Sequence, residues 1–398
     1  MSSWRHVCTG MQSRSEGNGA VSDDSTRPKV ACIKFVFLPA SEVFIAEQLH
    51  RLNRYEPLVL AVSAPNLMGI APERVHALSR LDPVTYSLNR LALKATHTCP
   101  HFESVVRRER AALLHAQFGV EGLCGLRLKR RTGLPLLTSF HGYDAYRLPR
   151  RRLGIYRELF AEGDLFLACS QSMRKQLLKL GCPDEKIRVL PLGVDTSTIT
   201  FRERQSPGDG PVHILLVGRL VEKKGIPYAL QAFAAVRRYH RNATLTIIGD
   251  GPERPTIEAL LRKLNLTDVR LLGAQSNEVV LREMQRAHLY LQPSVTALDG
   301  DAECTPVTLM EAQASGLPVV ATWHAGISEL VVDGKSGFLV SERNPHALAE
   351  RLRYLIEHPG LWGPLGRAGR AVVEERFSRP RQVTALEEVY DEALAGVQ

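Results

Sequence analysis

Apolar residues along the chain fall into short runs, separated by stretches with helical spacing. VACIKFVFL (30–38) is a run of apolar and β-branched residues that predicts a buried strand ending at Pro39. Ser41 is placed to cap a helix over EVFIAEQLHRL (42–52). PLVLAVSA (57–64) predicts a second strand, and residues 67–112 read as helical and partly basic. LLHAQFG (113–119), PLLTSFHG (135–142), DLFLACS (164–170) and KIRVLPLGVD (186–195) predict four more strands with helical patterns between them.

Residues 200–211 lose all apolar period and carry two Gly and two Pro, which predicts a linker. The alternation then restarts. Strands are predicted at 212–220, 243–251, 269–274, 289–295, 318–323 and 337–340. Helices are predicted at 227–240, 255–266, 277–286, 306–314, 345–375 and 380–395. Strands alternating with helices imply α/β domains, each a parallel sheet covered on both faces. The division expected is a disordered tail at 1–28, a first Rossmann-like domain at 29–199, the linker at 200–211 and a second such domain at 212–378. A terminal helix at 379–398 is free to pack back on the first domain. Ligands of doubly wound sheets bind at the carboxyl ends of the strands, so two facing domains leave a cleft there.

Composition agrees with two soluble domains: 398 residues, 44% hydrophobic and 23% charged. No run of 18 apolar residues is present to span a membrane, and the first 28 residues lack the apolar core of a secretion signal. The seven cysteines (8, 32, 99, 124, 169, 182, 304) form no CxxC pair and read as buried free thiols in a reducing, cytoplasmic compartment. His97-Thr-Cys99-Pro-His101 lacks the second half of a zinc site, so no metal is expected.

The charge is uneven. Residues 1–195 hold 28 Lys+Arg against 18 Asp+Glu, whereas the rest holds 23 against 24. A basic first half suits an acidic partner. Aromatics are only 6% of the chain, and no RNP, KH or zinc-finger pattern occurs, which argues against nucleic acid. Arg107-Arg108, the run Arg127 to Arg131 and Arg150-Arg151-Arg152 are candidates for an anionic membrane surface or a lipid-diphosphate-linked acceptor.

Two regions of the second half carry candidate chemistry. Gly218-Arg219-Leu-Val-Glu-Lys223-Lys224-Gly225 follows a strand directly and is not GxGxxG. Gly218 lets the backbone approach a ligand, while the fork of Arg219 and the point charge of Lys224 can neutralise a diphosphate. Glu303-Cys304-Thr305-Pro306-Val-Thr-Leu-Met-Glu311 places Thr305 as a cap, Pro306 at the first helical position and Glu311 about two turns in. A helix start suits an anion and carboxylates suit sugar hydroxyls. In the first half, His141 closes a strand before Gly142, where sheet ligands sit.

The succession of GRLVEKKG, IIGDGP, the E-x7-E segment with ASGLPVVAT, and GISELVVDGKSGF closely resembles glycosyltransferase family 4. The resemblance covers about residues 33–390 and is most specific between 213 and 340. SEVFIAE from Ser41, HAQFG from His115, FHGYD from Phe140 to Asp144 and GVD from Gly193 resemble the bacterial exopolysaccharide, colanic acid and lipopolysaccharide subgroup. The resemblance implies the GT-B architecture of two Rossmann-like domains and a retaining transfer from a UDP-, GDP- or ADP-sugar to a glycan or lipid-linked acceptor. It implies that Arg219 and Lys224 bind the donor diphosphate, Glu311 the ribose and Glu303 the transferred sugar, helped by backbone amides from Cys304 to Pro306. His141 would reach a donor-sugar hydroxyl across the cleft, and Asp144 would position His141 or meet the acceptor. Many members carry a Gly-rich loop after the first strand; here Leu38-Pro-Ala-Ser-Glu-Val-Phe has none. No metal or other cofactor is expected, because the positive side chains at the phosphate residues can take the place of a metal ion. The alternatives are a catalytically silent sugar-nucleotide-binding partner and an epimerase on the same fold. A phosphorylase would need a pyridoxal phosphate lysine, and none is identified.

Overall fold

The computed structural model describes residues 27–37, 43–67 and 69–396. The expected tail and the Ser41 cap therefore lie outside the described residues, apart from 27–28. Seven strands form the first sheet: β1 (Lys29–Ile33), β2 (Glu56–Ala61), β3 (Val75–Ala77), β4 (Leu113–Ala116), β5 (Leu136–Phe140), β6 (Leu165–Ala168) and β7 (Ile187–Val189). Their order is β3-β2-β1-β4-β5-β6-β7, every neighbour parallel. Six more form the second: β8 (His213–Val217), β9 (Thr244–Ile248), β10 (Val269–Leu271), β11 (Leu289–Gln292), β12 (Val319–Thr322) and β13 (Gly337–Val340). These run β10-β9-β8-β11-β12-β13, again all parallel.

Each sheet is buried on both faces, which is why its strands are continuous apolar runs rather than alternations. On β1, Ala31 and Ile33 join one core cluster with Phe102, Phe140 and Phe166, while Val30 and Cys32 point the other way among Ile45, Leu49 and Tyr55. On β8, Ile214 and Leu216 meet Phe233 and Trp362, and Leu215 and Val217 meet Met284, Tyr290 and Leu309. The period of two thus divides each strand between two cores.

The helix Arg379–Ala395 buries Val383, Leu386, Tyr390 and Ala393 against the first sheet, not the second. Tyr390 Oη lies 2.8 Å from His115 Nδ1, and Glu387 accepts the backbone N–H groups of Asn53 (2.6 Å) and Arg54 (2.8 Å). The chain crosses between the lobes at Val194 and again at Phe377–Arg379. The two crossings lie side by side: Val194 N–H donates to Phe377 and Arg379 N–H donates to Val194, both at 2.9 Å.

Several sequence expectations need correction. The region 67–112 is not wholly helical: β3 lies within it, too short at three residues for its period to register. The helix expected at 345–375 is two, Pro345–Glu357 and Trp362–Arg376, broken around Pro359-Gly360 because proline cannot continue the hydrogen-bond ladder. Within 200–211, Arg204 is buried and donates to the carbonyls of Met284, Ser315 and Gln285, so the segment lies against the second lobe. Cys169 and Cys304 are not free thiols but a disulfide pair, their Cα atoms 6.2 Å apart. Cys32, Cys99, Cys124 and Cys182 are free and buried, and Cys8 lies outside the described residues.

Candidate active site between the lobes

The switch points of the two sheets fall between β1 and β4 and between β8 and β11, where the strand order reverses. The loops leaving β8 and β11, and the loop after β5 in the first sheet, carry the candidate residues. After β8 the chain turns at Gly218 and forms a short turn, Glu222–Lys224, which Gly225 ends with a φ of 63°. A Cβ on Gly218 would lie 2.9 Å from Lys224 Cε, so glycine is what lets the lysine fold over the strand end. A Cβ on Gly225 would stand 1.9 Å from the Pro293 carbonyl, which ties this loop to the one after β11.

The two loops bring Lys224 and Glu303 together: Nζ lies 2.8 Å from Glu303 Oε1, both side chains nearly buried. Burial pushes the Glu303 carboxyl up, but Lys224 and Lys223 outweigh it and hold it down at about 2. Glu303 is therefore a carboxylate at neutral pH and accepts hydrogen bonds only. Lys223 is occupied with Asp301 (3.1 Å) and the Ala302 carbonyl (3.2 Å). The Arg219 side chain is exposed and makes no hydrogen bond or ion pair among the described residues, leaving its fork of donors available at the strand end.

Thr305 does not cap the next helix. Its hydroxyl is buried with no partner. Pro306 is the N-cap, not the first helical residue, and the helix runs Val307–Ala314. Glu311 accordingly sits little more than one turn in. Its Oε1 accepts from Asn277 Nδ2 (2.9 Å), and burial pushes the carboxyl up to about 7 against that bond, with Glu47 of the first lobe also raising it.

The first lobe supplies His141 at the end of β5. Its ring lies between those of Phe44 (5.3 Å) and Phe118 (4.6 Å). Nε2 is buried without a partner, and burial, reinforced by Lys34, lowers its pKa to about 4 despite a hydrogen bond with the Gln117 backbone. The imidazole is neutral. The next residue, Gly142, packs so closely on the second lobe that a Cβ there would meet the Ala302 carbonyl at 2.6 Å. Asp144 has no exposed surface: its carboxylate accepts from the backbone N–H groups of His141 and Gly119, each at 2.8 Å. These bonds tie the His141 loop to the start of the helix at Gly119, in keeping with the first of its two expected roles, positioning His141.

Sequence reasoning missed the support behind Glu303. Its backbone N–H donates to His324 Nε2 (2.9 Å), so the ring proton sits on Nδ1 and is donated to Glu342 Oε1 (2.6 Å). Glu342 also accepts the Thr296 N–H at 2.8 Å, pinning the start of the same loop. Only the fold brings residues 296, 303, 324 and 342 together. It also missed the seam between the lobes. Glu329 accepts the N–H groups of Gln171 (3.0 Å) and Ser172 (3.1 Å), and Arg147 pairs with Asp299 at 2.6 Å.

The basic runs singled out in the first half are largely neutralised. Arg107 and Arg131 pair with Glu103, Arg108 with Glu109, and Arg127 and Arg130 with Glu158. Lys129 pairs with Asp164. Arg150, Arg151 and Arg152 form no ion pair among the described residues. Beside them Leu153 is 93% exposed, and the helix Pro83–Thr96 exposes Val84, Leu88 and Leu91 at helical spacing. No helix among the described residues is long and apolar enough to cross a membrane.

Comparison with known proteins agrees with this fold. A model of glycosyl transferases group 1 matches residues 197–371, and one of glycosyltransferase family 4 matches residues 43–198. WcaL of Escherichia coli K12, named as a colanic acid biosynthesis glycosyltransferase, is 39% identical over 277 residues, covering 68% of this chain and 68% of that one. The amylovoran biosynthesis glycosyltransferase AmsK of Erwinia amylovora is 34% identical over 286 residues, 71% of this chain and 70% of its own. The solved structure of Anabaena HepE with UDP-glucose superposes with a TM-score of 0.71 at 19% identity, over 92% of this chain and 99% of that one. The lipopolysaccharide outer core galactosyltransferase WaaB does so at 0.68 and 19%, over 93% and 100%. The two facing parallel sheets are those of the GT-B fold, and the chain belongs to glycosyltransferase family 4, related to its exopolysaccharide enzymes.

Proposed function

We propose that the chain is a retaining glycosyltransferase that moves a hexose-type sugar from a nucleotide-sugar donor to a glycan or lipid-linked acceptor of exopolysaccharide or lipopolysaccharide synthesis. The observation that carries this reading is the meeting of Lys224 and Glu303 at 2.8 Å, with the uncommitted Arg219 on the same strand-end loop as the lysine. Cations for a diphosphate and a carboxylate for a sugar then stand side by side. That the solved relative HepE binds UDP-glucose supports a nucleotide-sugar donor.

In this mechanism Arg219, Lys224 and the helix start at Val307 stabilise the charge that develops on the leaving diphosphate, the contribution that usually dominates catalysis. Glu303 accepts from hydroxyls of the transferred sugar, and Glu311 from the ribose. His141 accepts a further sugar hydroxyl at the lone pair of Nε2, across the cleft. No carboxylate is placed as a nucleophile, so the acceptor hydroxyl enters on the face from which the diphosphate leaves. The leaving phosphate takes its proton. The acceptor's lipid would draw the protein to the inner face of an anionic membrane.

The test is thermal unfolding of the protein with a panel of UDP-, GDP- and ADP-sugars, beside Arg219→Ala and Glu311→Ala. A ligand at 100 times its Kd adds about 2.7 kcal/mol. Stabilisation by one nucleotide class, lost in both variants, supports the donor site and names the base. A folded protein stabilised by none of them would overturn the assignment.

A further inference from the structure

We propose that Cys169 and Cys304 form a reversible thiol–disulfide site that locks the two lobes across the donor cleft, exchanging with a small-molecule or protein disulfide. Cys169 follows the end of β6 in the first lobe, and Cys304 lies in the loop before the helix Val307–Ala314 in the second, 135 residues away in sequence. The Cα separation of 6.2 Å is within the range a disulfide spans. The bond is therefore a covalent bridge between lobes, and it forms only while they are closed.

The surroundings make this seam the place where such a bridge acts. Glu329 reaches across to the backbone of Gln171 and Ser172, immediately beyond Cys169. Cys304 packs on the core of the first lobe, while its carbonyl is backed so closely by Gly326 that a Cβ there would stand 2.1 Å away. The residue is fixed in one lobe and plugged into the other. It also adjoins Glu303, so the bridge pins the loop assigned here to the donor sugar; the gating consequence rests on that assignment. The other seam contacts described above, Glu329 with Gln171 and Ser172, Arg147 with Asp299 and Gly142 against Ala302, are non-covalent and can open and close.

Among the described cysteines, this pair is the reactive one. Burial pushes the thiols of Cys32 and Cys182 up to about 12 and that of Cys99 to about 11, and it raises Cys124 further, so these four are inert. Cys169 is buried, but Cys304 is only half-buried and is the sulfur a reagent can reach. Oxidation begins when the Cys304 thiolate attacks a disulfide RSSR, forming a mixed disulfide and expelling one RS⁻. The Cys169 thiolate then attacks the Cys304 sulfur and expels the second. The two cysteines give up two electrons and two protons, and RSSR becomes two RSH. Reduction runs the same steps backwards. Disulfides of this kind in a reducing compartment are usually transient and redox-sensing.

The experiment compares the full-length protein after oxidised glutathione and after dithiothreitol, beside Cys169→Ser treated identically. Peptide mapping of the oxidised wild type should recover the Cys169 and Cys304 peptides joined, and small-angle scattering should show the reduced protein expanding relative to the oxidised one. Exchange of labelled UDP should slow by at least an order of magnitude on oxidation and recover on reduction, with Cys169→Ser indifferent to both. Absence of the joined peptides, or identical scattering of the two forms, would overturn the latch. If UDP binds neither form, the donor-site reading fails instead, and mapping with scattering still decides the latch.

Discussion

A diphosphate approaching Lys224 meets a carboxylate already at its ammonium group, because Glu303 lies 2.8 Å from it. Replacing Glu303 by Gln keeps the shape and removes both the competitor for Lys224 and a negative charge beside the phosphates. Titration calorimetry of Glu303→Gln should therefore show UDP binding tighter by roughly 5- to 10-fold, about 1 kcal/mol, while sugar transfer falls. Weaker UDP binding would mean that the carboxylate orients the lysine rather than competing for it. Glu311 gives a second prediction. Its folded value of about 7 lies above its ordinary 4.5, so the fold holds this proton more tightly than the unfolded chain. Its contribution to stability is full below 4.5 and is lost as pH rises through 7. Accepting two ribose hydroxyls requires the ionised form, so UDP affinity should fall as pH drops from about 8 to about 6, with proton release on binding near neutrality. Glu311→Gln should bind weakly with a flat profile; a wild-type profile already flat would remove Glu311 from the ribose.

At the scale of the elements, the parallel strands were legible because each is an apolar run buried on both faces and closed by polar or glycine residues. β3 was not, since three residues, Val75 to Ala77, carry too little pattern. The strand-end glycines and charges at 218–225 and 303–311 were legible as motifs. What chemistry they touch was only partly so. The Thr305 cap failed because a local rule was applied to a hydroxyl that tertiary packing buries elsewhere. His324 and Glu342 were invisible because an isolated His acquires meaning only through partners far along the chain. The last helix was legible as a helix from its period, but its partner is read from contacts such as Tyr390 to His115. Burial holds His115 neutral, with a pKa near 3, and Ser139 occupies its other nitrogen at 2.8 Å. Tyr390→Phe removes one buried partner at nearly constant shape. It should cost about 1–3 kcal/mol in urea unfolding, without altering nucleotide affinity. A neutral outcome would mean that Gln117, 3.4 Å from the same nitrogen, takes over the bond.

For the molecule as a whole, the formal charge of +9 overstates the field that a partner meets. Most of the basic runs in the first lobe spend their charge on neighbouring acids, and exposed pairs of this kind add little either to stability or to attraction. What stands uncompensated is Arg150 to Arg152 beside the projecting Leu153, together with the apolar row Val84, Leu88 and Leu91. If these arginines and the apolar row both meet an anionic bilayer, each arginine contributes about 1 kcal/mol. Sedimentation with phosphatidylglycerol vesicles should bring down the wild type, but not a variant combining Leu88→Asp and Leu91→Asp, and phosphatidylcholine vesicles should bring down neither. Equal sedimentation with both lipids would reject the face as an anionic-membrane site.

The double crossing at Val194 and Ser378 has a consequence for how the chain is born. The second lobe is one continuous stretch, complete once its last residue has cleared the ribosome. The first lobe is discontinuous, because its final helix, Arg379–Ala395, comes from the opposite end of the chain. Domains usually fold in the order of their synthesis. Here the lobe made first must wait, its Tyr55 and His115 face uncovered, until residues 379–395 have followed the whole of the second lobe out of the ribosome. A released chain cut after residue 378 should therefore show the second lobe resistant to protease and the first still open to it.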